Sequence, residues 1–337
     1  MVSAFFAEDP SYAGVFIVAV KTTGIFCRIG CPARKPKAEN VDFYPRPQEA
    51  VLAGYRPCKR CRPLEPAGVG PVWLPDLLAA LDADPARRWK DQDLRALGLS
   101  PEQVRRWFRK HHGMTFHQYE RSRRLGAALG HMRGGGRVTD AALEHGYDSL
   151  SGFNDAFRKL FGAAPTKRSD LTCVTMTRLV TELGPMLAGA TDEGLCLLEF
   201  VDRRMLETQI ERVRQRLRCQ FIPGTHPMLV QTARELDEYF NGSRRAFSVP
   251  LVTPGTEFQQ LVWKYLEQIP SGKTTSYSAL AKTIGRPKAT RAVARANGDN
   301  RIAIMIPCHR VIGADGSLTG YGGGLWRKRR LLELEQQ

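Results

Sequence analysis

Two sets of residues in this 337-residue chain could do chemistry, and both are built on cysteine. The first is Pro307-Cys308-His309-Arg310, which follows the apolar run 302–306. Such a run, ending at a proline, reads as a buried strand or tight turn that delivers Cys308 into an interior. A thiol beside an imidazole and a guanidinium can be drawn toward thiolate, its reactive form. The plainer reading is a small core hydrophobe, the usual fate of a free cysteine. The second set is Cys27, Cys31, Cys58 and Cys61. Three residues separate the first pair, two the second, and twenty-six lie between the pairs. Two such knuckles closing a loop supply the four soft ligands that Zn²⁺ takes in a tetrahedron. A small segment with few large apolar residues needs a staple of that kind. Cys173, Cys196 and Cys219 have no histidine neighbour and no pairing spacing, and read as structural.

The elements that position these residues follow from composition and pattern. Lys plus Arg outnumber Asp plus Glu by 50 to 34, a net of +16, which favours a polyanionic partner, nucleic acid first. No apolar run approaches a membrane span, and residues 1–7 are too short for a signal and run into Glu8-Asp9. Eight cysteines in a chain this long suit a reducing cytosol, with cysteines used for metal or chemistry. The length allows two or three domains. We divide it into a zinc-stapled segment (1–66), a helical domain (72–170), an α/β subdomain (174–253) and a last domain holding Cys308 (254–337). The proline- and glycine-rich stretch 63–71 is a linker by composition.

In the helical part, 73–81 is apolar at helical spacing and 91–97 is a short helix broken at Gly98. Ser100-Pro101-Glu102-Gln103 reads as a capping box that opens a helix with Val104, Trp107 and Phe108 on one face. Arg105, Arg106, Arg109 and Lys110 lie elsewhere on it. A short helix, a glycine turn and a basic helix make a helix-turn-helix; an ordinary hairpin with a solvated basic face is the alternative. The unit recurs. A connecting helix over 115–132 ends at Gly134-Gly135-Gly136, then 138–143, Gly146 and 151–161 repeat the pattern. Arg158 and Lys159 lie near its close. Further on, 174–200 carries β-branched runs ending in a strand, 207–219 and 229–240 read as helices, and 247–252 as extended. Helices are expected over 258–268, 279–284 and from 288 onward. Small residues at Ala292, Ala294 and Ala296 suit close docking on a duplex. Gly272-Lys273-Thr274 is not a phosphate-binding loop, because the upstream glycine spacing is wrong.

Three resemblances rest on these residues. The runs 21–28 (including Thr23, Cys27 and Arg28), 31–34 (ending in Arg34) and 56–61 resemble the zinc domain of Ada-type DNA repair proteins. One departure is Ile29-Gly30, where that family commonly carries Pro-Ser. The resemblance implies that Cys27 is both zinc ligand and nucleophile, irreversibly accepting a methyl group from a DNA methylphosphotriester. Zinc would hold the sulfurs as thiolates, so no base is needed. Methylation would remove one negative charge, tighten DNA binding and switch the protein to an activator of repair genes, with RNA polymerase as its partner. The middle part resembles the paired helix-turn-helix domain of AraC-type activators, over about a hundred residues. Its candidate base-reading helices are 102–110, with Arg106 and Arg109, and 152–159, with Arg158.

The last eighty or so residues resemble O6-alkylguanine-DNA alkyltransferases, on Tyr277, Arg291, Asn300, Pro307-Cys308-His309-Arg310 and Tyr321-Gly322-Gly323-Gly324 in order and spacing. The resemblance implies that Cys308 takes the alkyl group from O6 of guanine, or O4 of thymine. His309, oriented by Glu335, would activate it through a water. Tyr277 would donate a proton toward the leaving guanine. Arg291, beside Ala292, would fill the gap left by the flipped base, and Asn300 would brace the backbone. Pro307, Tyr321, Gly322 and Gly323 would line the pocket. The fold expected is multidomain α+β, with a ribonuclease-H-like subdomain before a winged-helix-like active domain. Double-stranded DNA is the expected partner, zinc the one cofactor, and a cytosolic monomer the expected form. The rival reading is a transcription regulator with purely structural zinc and a lesion-binding but unreactive C-terminal domain.

Overall fold

Hydrophobic periodicity changes along the chain, and the architecture changes with it. The computed structural model describes residues 1–6, 16–31, 33–61, 63–64, 71–112 and 114–336. Glu8, Asp9, Pro32, Arg62 and most of the expected linker lie outside the described residues.

The first unit begins with helix α1 (Val2–Phe6) and holds strands β1 (Ile17–Val20), β2 (Ile25–Arg28), β3 (Val41–Tyr44) and β4 (Arg56–Pro57), with helix α2 (Pro47–Leu52) before β4. The sheet order is β3-β1-β2-β4, antiparallel except for β2 beside β4. Apolar side chains are more plentiful here than the sequence suggested. Phe5, Phe16, Val18 and Val41 pack on one face, and Ile17, Ala19, Phe26 and Ala50 on the other. Alternation along β1 serves both clusters.

The second unit is helical: α3 (Leu74–Ala83), α4 (Asp91–Ala96), α5 (Pro101–His112), α6 (Phe116–Arg133), α7 (Val138–Glu144) and α8 (Leu150–Phe161). Ser100 Oγ accepts from Gln103 N at 3.4 Å at the start of α5. Thr115 and Gln118 form a full capping box on α6. Ser149 caps α8, which ends at Gly162 with φ 73°. The two short-helix pairs have separate cores. Leu77, Leu94, Val104, Phe108 and Phe116 fill the first, while Leu125, Phe153, Phe157 and Phe161 fill the second. Gly146 turns at φ 72°, and a Cβ there would meet the Ala86 carbonyl at 2.6 Å. That turn therefore needs glycine. Ile222, from the next unit, joins the second core.

The third unit contains β5 (Thr172–Thr181), β6 (Gly184–Thr191), β7 (Gly194–Phe200), helix α9 (Leu206–Leu217), β8 (Cys219–Pro223) and helix α10 (Pro227–Phe240). The order β7-β6-β5-β8 is antiparallel until β8 pairs parallel with β5. Cys219 opens a strand rather than closing a helix. The expected strand over 247–252 reduces to one bridge, Leu251 to Leu195, because Pro250 donates nothing to a ladder. Cys196 and Cys219 are buried beside Val174 and Val213, and Cys173 is half-buried.

Helices α11 (Glu257–Glu267), α12 (Tyr277–Thr283), α13 (Thr290–Gly298) and α14 (Leu325–Glu335) follow, with β9 (Thr275–Ser276) pairing parallel to β10 (Val311–Ile312). One core joins them to the preceding sheet: Met186, Leu198 and Phe200 pack with Tyr239, Trp263, Val293, Ile306 and Leu331. The two C-terminal parts are thus one packed body. The run 302–306 is a tight turn and not a strand, with Ile304 at φ 74°.

Phe108 meets Phe116 and Tyr119 at ring-centroid distances of 5.3 and 4.8 Å. Phe108→Ala should therefore lower the stability of the helical unit by about 3–5 kcal/mol, read by urea unfolding followed through Trp107 fluorescence. A loss below about 1 kcal/mol would mean this ring does not anchor the unit.

Candidate active site and metal centre

Cys308 begins a single 3-10 turn, Cys308–Arg310, at the end of the buried turn 302–306. Its thiol is buried, and burial pushes its pKa up. Three features oppose that: Asn300 Nδ2 donates to the sulfur at 3.1 Å, and the Arg203 and Lys328 cations lie close by. Asn300 ties the local backbone together. Its Nδ2 reaches the Ile306 carbonyl at 2.9 Å, and its Oδ1 accepts from Ile302 N at 2.9 Å. Asn297, also on this side, donates to the Cys308 carbonyl at 3.3 Å.

His309 is wholly buried, and burial depresses its pKa although Glu335 raises it. Its Nε2 lies 2.9 Å from Glu335 Oε1. Burial raises the Glu335 carboxyl, but hydrogen bonds from His309 and Arg310 outweigh that and hold it well below the usual carboxylate range. Glu335 is therefore ionised and can only accept. The proton of neutral His309 must then sit on Nε2, which leaves the Nδ1 lone pair free. That buried Nδ1 has no protein partner. Arg310 Nε and Nη2 reach the same carboxylate at 2.9 and 2.7 Å, Tyr239 Oη donates at 2.8 Å, and Gly272 N at 3.2 Å.

A cavity of about 580 Å³ is lined by Arg203, Tyr277, Ala294, Thr319, Tyr321 and Gly322 among others, and shares Arg203, Tyr321 and Gly322 with a small space that reaches Cys308. Tyr277 Oη donates to the Thr319 carbonyl at 3.2 Å. Gly323 is buried, and a Cβ on it would meet Phe200 at 2.7 Å. Lys328 Nζ holds the loop by donating to the carbonyls of Val311 at 2.5 Å and Thr319 at 2.6 Å. Pro307 is buried next to Cys308. Arg291 and Ala292 are exposed on α13, whereas Ala296 faces the core and its carbonyl accepts from Trp263 Nε1 at 2.8 Å. Of the three alanines expected at a docking face, Ala296 is not on it: an i, i+3 step from Val293 puts it on the buried stripe.

The four sulfurs of Cys27, Cys31, Cys58 and Cys61 lie within 4.8 Å of one another, with Cys31 and Cys58 3.9 Å apart. A tetrahedron with zinc–sulfur bonds of about 2.3 Å has edges of about 3.8 Å, so the set fits. Crowding supports the same conclusion. The hydrogen bond with Cys61 and burial drive Cys27 far up, while the bond with Cys27 draws Cys61 down to about 5. Four such sulfurs share protons unless a dication lets all ionise. The backbone N of Arg28 donates to Cys61 Sγ at 3.4 Å, the bond expected to orient a metal thiolate. A cavity of about 420 Å³ lies over the centre, lined by Thr23, Cys27, Arg34, Lys35, Arg56 and Lys59 among others. Arg34 and Thr23 are exposed and Arg28 is half-buried. Ile29, at the departure from the family pattern, is buried in the sheet's first cluster.

On the helical unit, Arg106, Arg109 and Arg158 are exposed, but Arg105 is engaged by Asp91 at 3.2 Å. Sequence reasoning missed Tyr239, Asn297, Arg203 and Lys328. Only Asn297 left a trace, three residues before Asn300 at a helix end.

A four-sulfur metal centre, a pair of helix-turn-helix units and a buried Cys–His–Glu cluster define a modular class of DNA-directed alkyl-acceptor protein. Family profiles match four stretches: "Metal binding domain of Ada" over 1–64, "Helix-turn-helix domain" over 94–168, "6-O-methylguanine DNA methyltransferase, ribonuclease-like domain" over 175–253 and its "DNA binding domain" over 257–337. The bifunctional transcriptional activator/DNA repair enzyme Ada of Escherichia coli (strain K12) is 38% identical, covering 98% of this chain and 94% of that protein. The regulatory protein ada of Salmonella typhimurium is 35% identical over the same shares. A methylated-DNA–protein-cysteine methyltransferase of Methanosarcina acetivorans is 43% identical, covering 45% of this chain and 92% of its own. The chain belongs to the Ada family.

The Glu335 cluster makes a pH prediction. Its folded carboxyl lies below the ordinary value of 4.5. As pH falls, the unfolded chain therefore takes up that proton first. The stabilisation is complete above about pH 4.5 and is lost as pH drops through the folded value. Glu335→Gln should be less stable than the parent at neutral pH, with the gap narrowing below about pH 4.5 in guanidinium titrations. A pH-independent gap would contradict the ionised, paired state.

Proposed function

We propose that Cys308 and Cys27 are two stoichiometric methyl acceptors that clear methylated DNA, and that the helical unit carries the promoter recognition. The observation that carries this is that ionised Glu335 leaves His309, the residue after Cys308, with a bare Nδ1 in the interior. A water between them takes the thiol proton to His309. The sulfur then attacks the methyl carbon of O6-methylguanine, or of O4-methylthymine. The S–C bond forms, the C–O bond breaks, and Tyr277 supplies the proton that the departing base needs. His309 then releases the thiol proton to solvent and Tyr277 regains one from it, so the net exchange puts the methyl on sulfur and a proton on the base.

The reaction requires the base to leave the helix, since O6 sits in the major groove on a stacked base while Cys308 is buried. Extrusion costs a few kcal/mol, least for a damaged base. Exposed Arg291 on α13 fills the vacated place, and Ala292 beside it lets the helix approach the duplex. Tyr321, Gly322, Gly323 and Pro307 shape the pocket. A thioether is a poor leaving group, so each cysteine reacts once.

At the other end, zinc held by Cys27, Cys31, Cys58 and Cys61 would keep the four sulfurs ionised. Cys27 takes the methyl of a phosphotriester, the S–C bond forming as the C–O bond breaks and the phosphodiester anion leaves, and Arg28, Arg34 and Thr23 hold the DNA backbone. Losing one negative charge there reduces repulsion by phosphates. Arg106, Arg109 and Arg158 face bases or backbone from the paired units. The methylated form activates transcription through RNA polymerase, acting as a monomer in the cytosol. Among the described residues no helix is long and apolar enough to cross a membrane.

Intact mass after incubation with DNA bearing both lesions tests this. Two added methyl groups are expected, mapped by peptide digestion to Cys27 and Cys308, with one lost in each of Cys27→Ser and Cys308→Ser. No mass change with either lesion would leave the rival regulator with structural zinc. Methylation at Cys27 should also tighten promoter binding at fixed salt; equal affinities would remove the charge argument.

A further inference from the structure

Arg203 stands at the turn between β7 and α9, remote in sequence from the reactive cysteine, yet it lines the same space. Its side chain is 6% exposed and pairs with Glu199 on β7, itself 1% exposed. Its Nη2 donates to the Gly298 carbonyl at 2.6 Å and its Nη1 to the Asn300 carbonyl at 2.9 Å. One guanidinium thus binds the end of α13 to the sheet at the residues that hold the Cys308 turn. Its planar fork suits that task as a lysine's single ammonium does not. Its Nε is buried with no partner, as is Glu199 Oε2.

Two cavities meet at this side chain. The large one is the pocket described above. The small one lies between Arg203, Asn297, Asn300, Cys308 and Tyr321, and has about 10 Å³ of free volume. That is roughly one water-sized sphere, so a methyl fits only as the walls give slightly and a benzyl does not fit. Gly322 closes the other wall. A Cβ there would sit 2.7 Å from the guanidinium carbon, so glycine is what allows Arg203 to reach in.

We propose that Arg203 is a positioning and specificity residue of the alkyl-transfer site, walling the chamber at Cys308 so that methyl is admitted and bulky alkyl groups are refused. This rests on the reading of Cys308 as the acceptor of an O6-alkyl group. The charge has a second effect. Arg203, with Lys328, is a cation that favours the Cys308 thiolate against burial, while Tyr277 and Tyr321 are neutral neighbours of the same sulfur. His309, in the same turn, pairs with Glu335.

The test uses the zinc-loaded full chain and duplexes carrying O6-methylguanine or O6-benzylguanine. Removing Arg203 alone would strand the Glu199 carboxylate, so the truncation is made as R203A with E199Q, beside E199Q alone. Rates of transfer to Cys308 are measured with both substrates, together with the pH dependence of Cys308 alkylation by iodoacetamide. The expected result for R203A/E199Q is a benzyl-to-methyl rate ratio raised at least about tenfold over E199Q. R203M/E199Q should keep a near-parental ratio but move the alkylation midpoint to higher pH, and R203K, which keeps a cation beside Glu199, should restore that midpoint. If both substrates slow by one factor and the midpoint stays in place, Arg203 is only structural and the proposal fails. If the parent protein transfers no methyl to Cys308 at all, it is the underlying reading that fails, not the wall.

Discussion

A carboxylate taken out of water must be neutralised, and most of the C-terminal body is arranged around one that is. Glu335, 4% exposed at the end of α14, accepts from His309, Arg310, Tyr239 and the Gly272 backbone. These partners come from α10, the loop before β9 and the turn carrying Cys308. One acid thus stitches together four segments far apart in sequence. Removing a partner from such a buried cluster leaves an uncompensated charge, which costs about 3–5 kcal/mol. The same bonds that make the cluster stable fix the histidine tautomer, so folding and chemistry draw on one interaction.

The metal centre repeats the logic with four anions in place of one. Four sulfurs held within 4.8 Å repel one another as anions, and a dication resolves the conflict. In both centres the sulfur proposed to react sits where its local environment has been set by other groups. At Cys308 those groups are Asn300, Lys328 and Arg203. At Cys27 they are the three other cysteines, with the Arg28 backbone N–H orienting Cys61. The packed body that carries Cys308 includes strands β6 and β7, so the sheet is part of the site and not merely a neighbour.

Much of this was legible in the chain. Paired cysteine spacings, the recurring short-helix, glycine and basic-helix pattern, and the apolar run before Pro307 each report a local physical requirement. What was hidden depends on tertiary packing. Arg203 and Tyr239 gave no sequence signal because they reach the site from separate elements across the core. Ala296 looked like its neighbours Ala292 and Ala294 until the helix phase placed it inward. The run 302–306 left strand and tight turn undecided, since buried turns and buried strands share apolar residues. Leu195, Leu198 and the other β7 residues are continuously buried, so their run carried no alternation to set faces.

The central claim is that Glu335 sets His309 to activate Cys308. Its most direct measurement is the single-turnover rate of methyl transfer from O6-methylguanine duplex for the parent, Glu335→Gln and His309→Gln, each at matched DNA occupancy. The account predicts that both variants bind the duplex with parental affinity and transfer at least about a hundredfold more slowly, as loss of a positioned general base requires. Parental rates in a folded Glu335→Gln protein would contradict it.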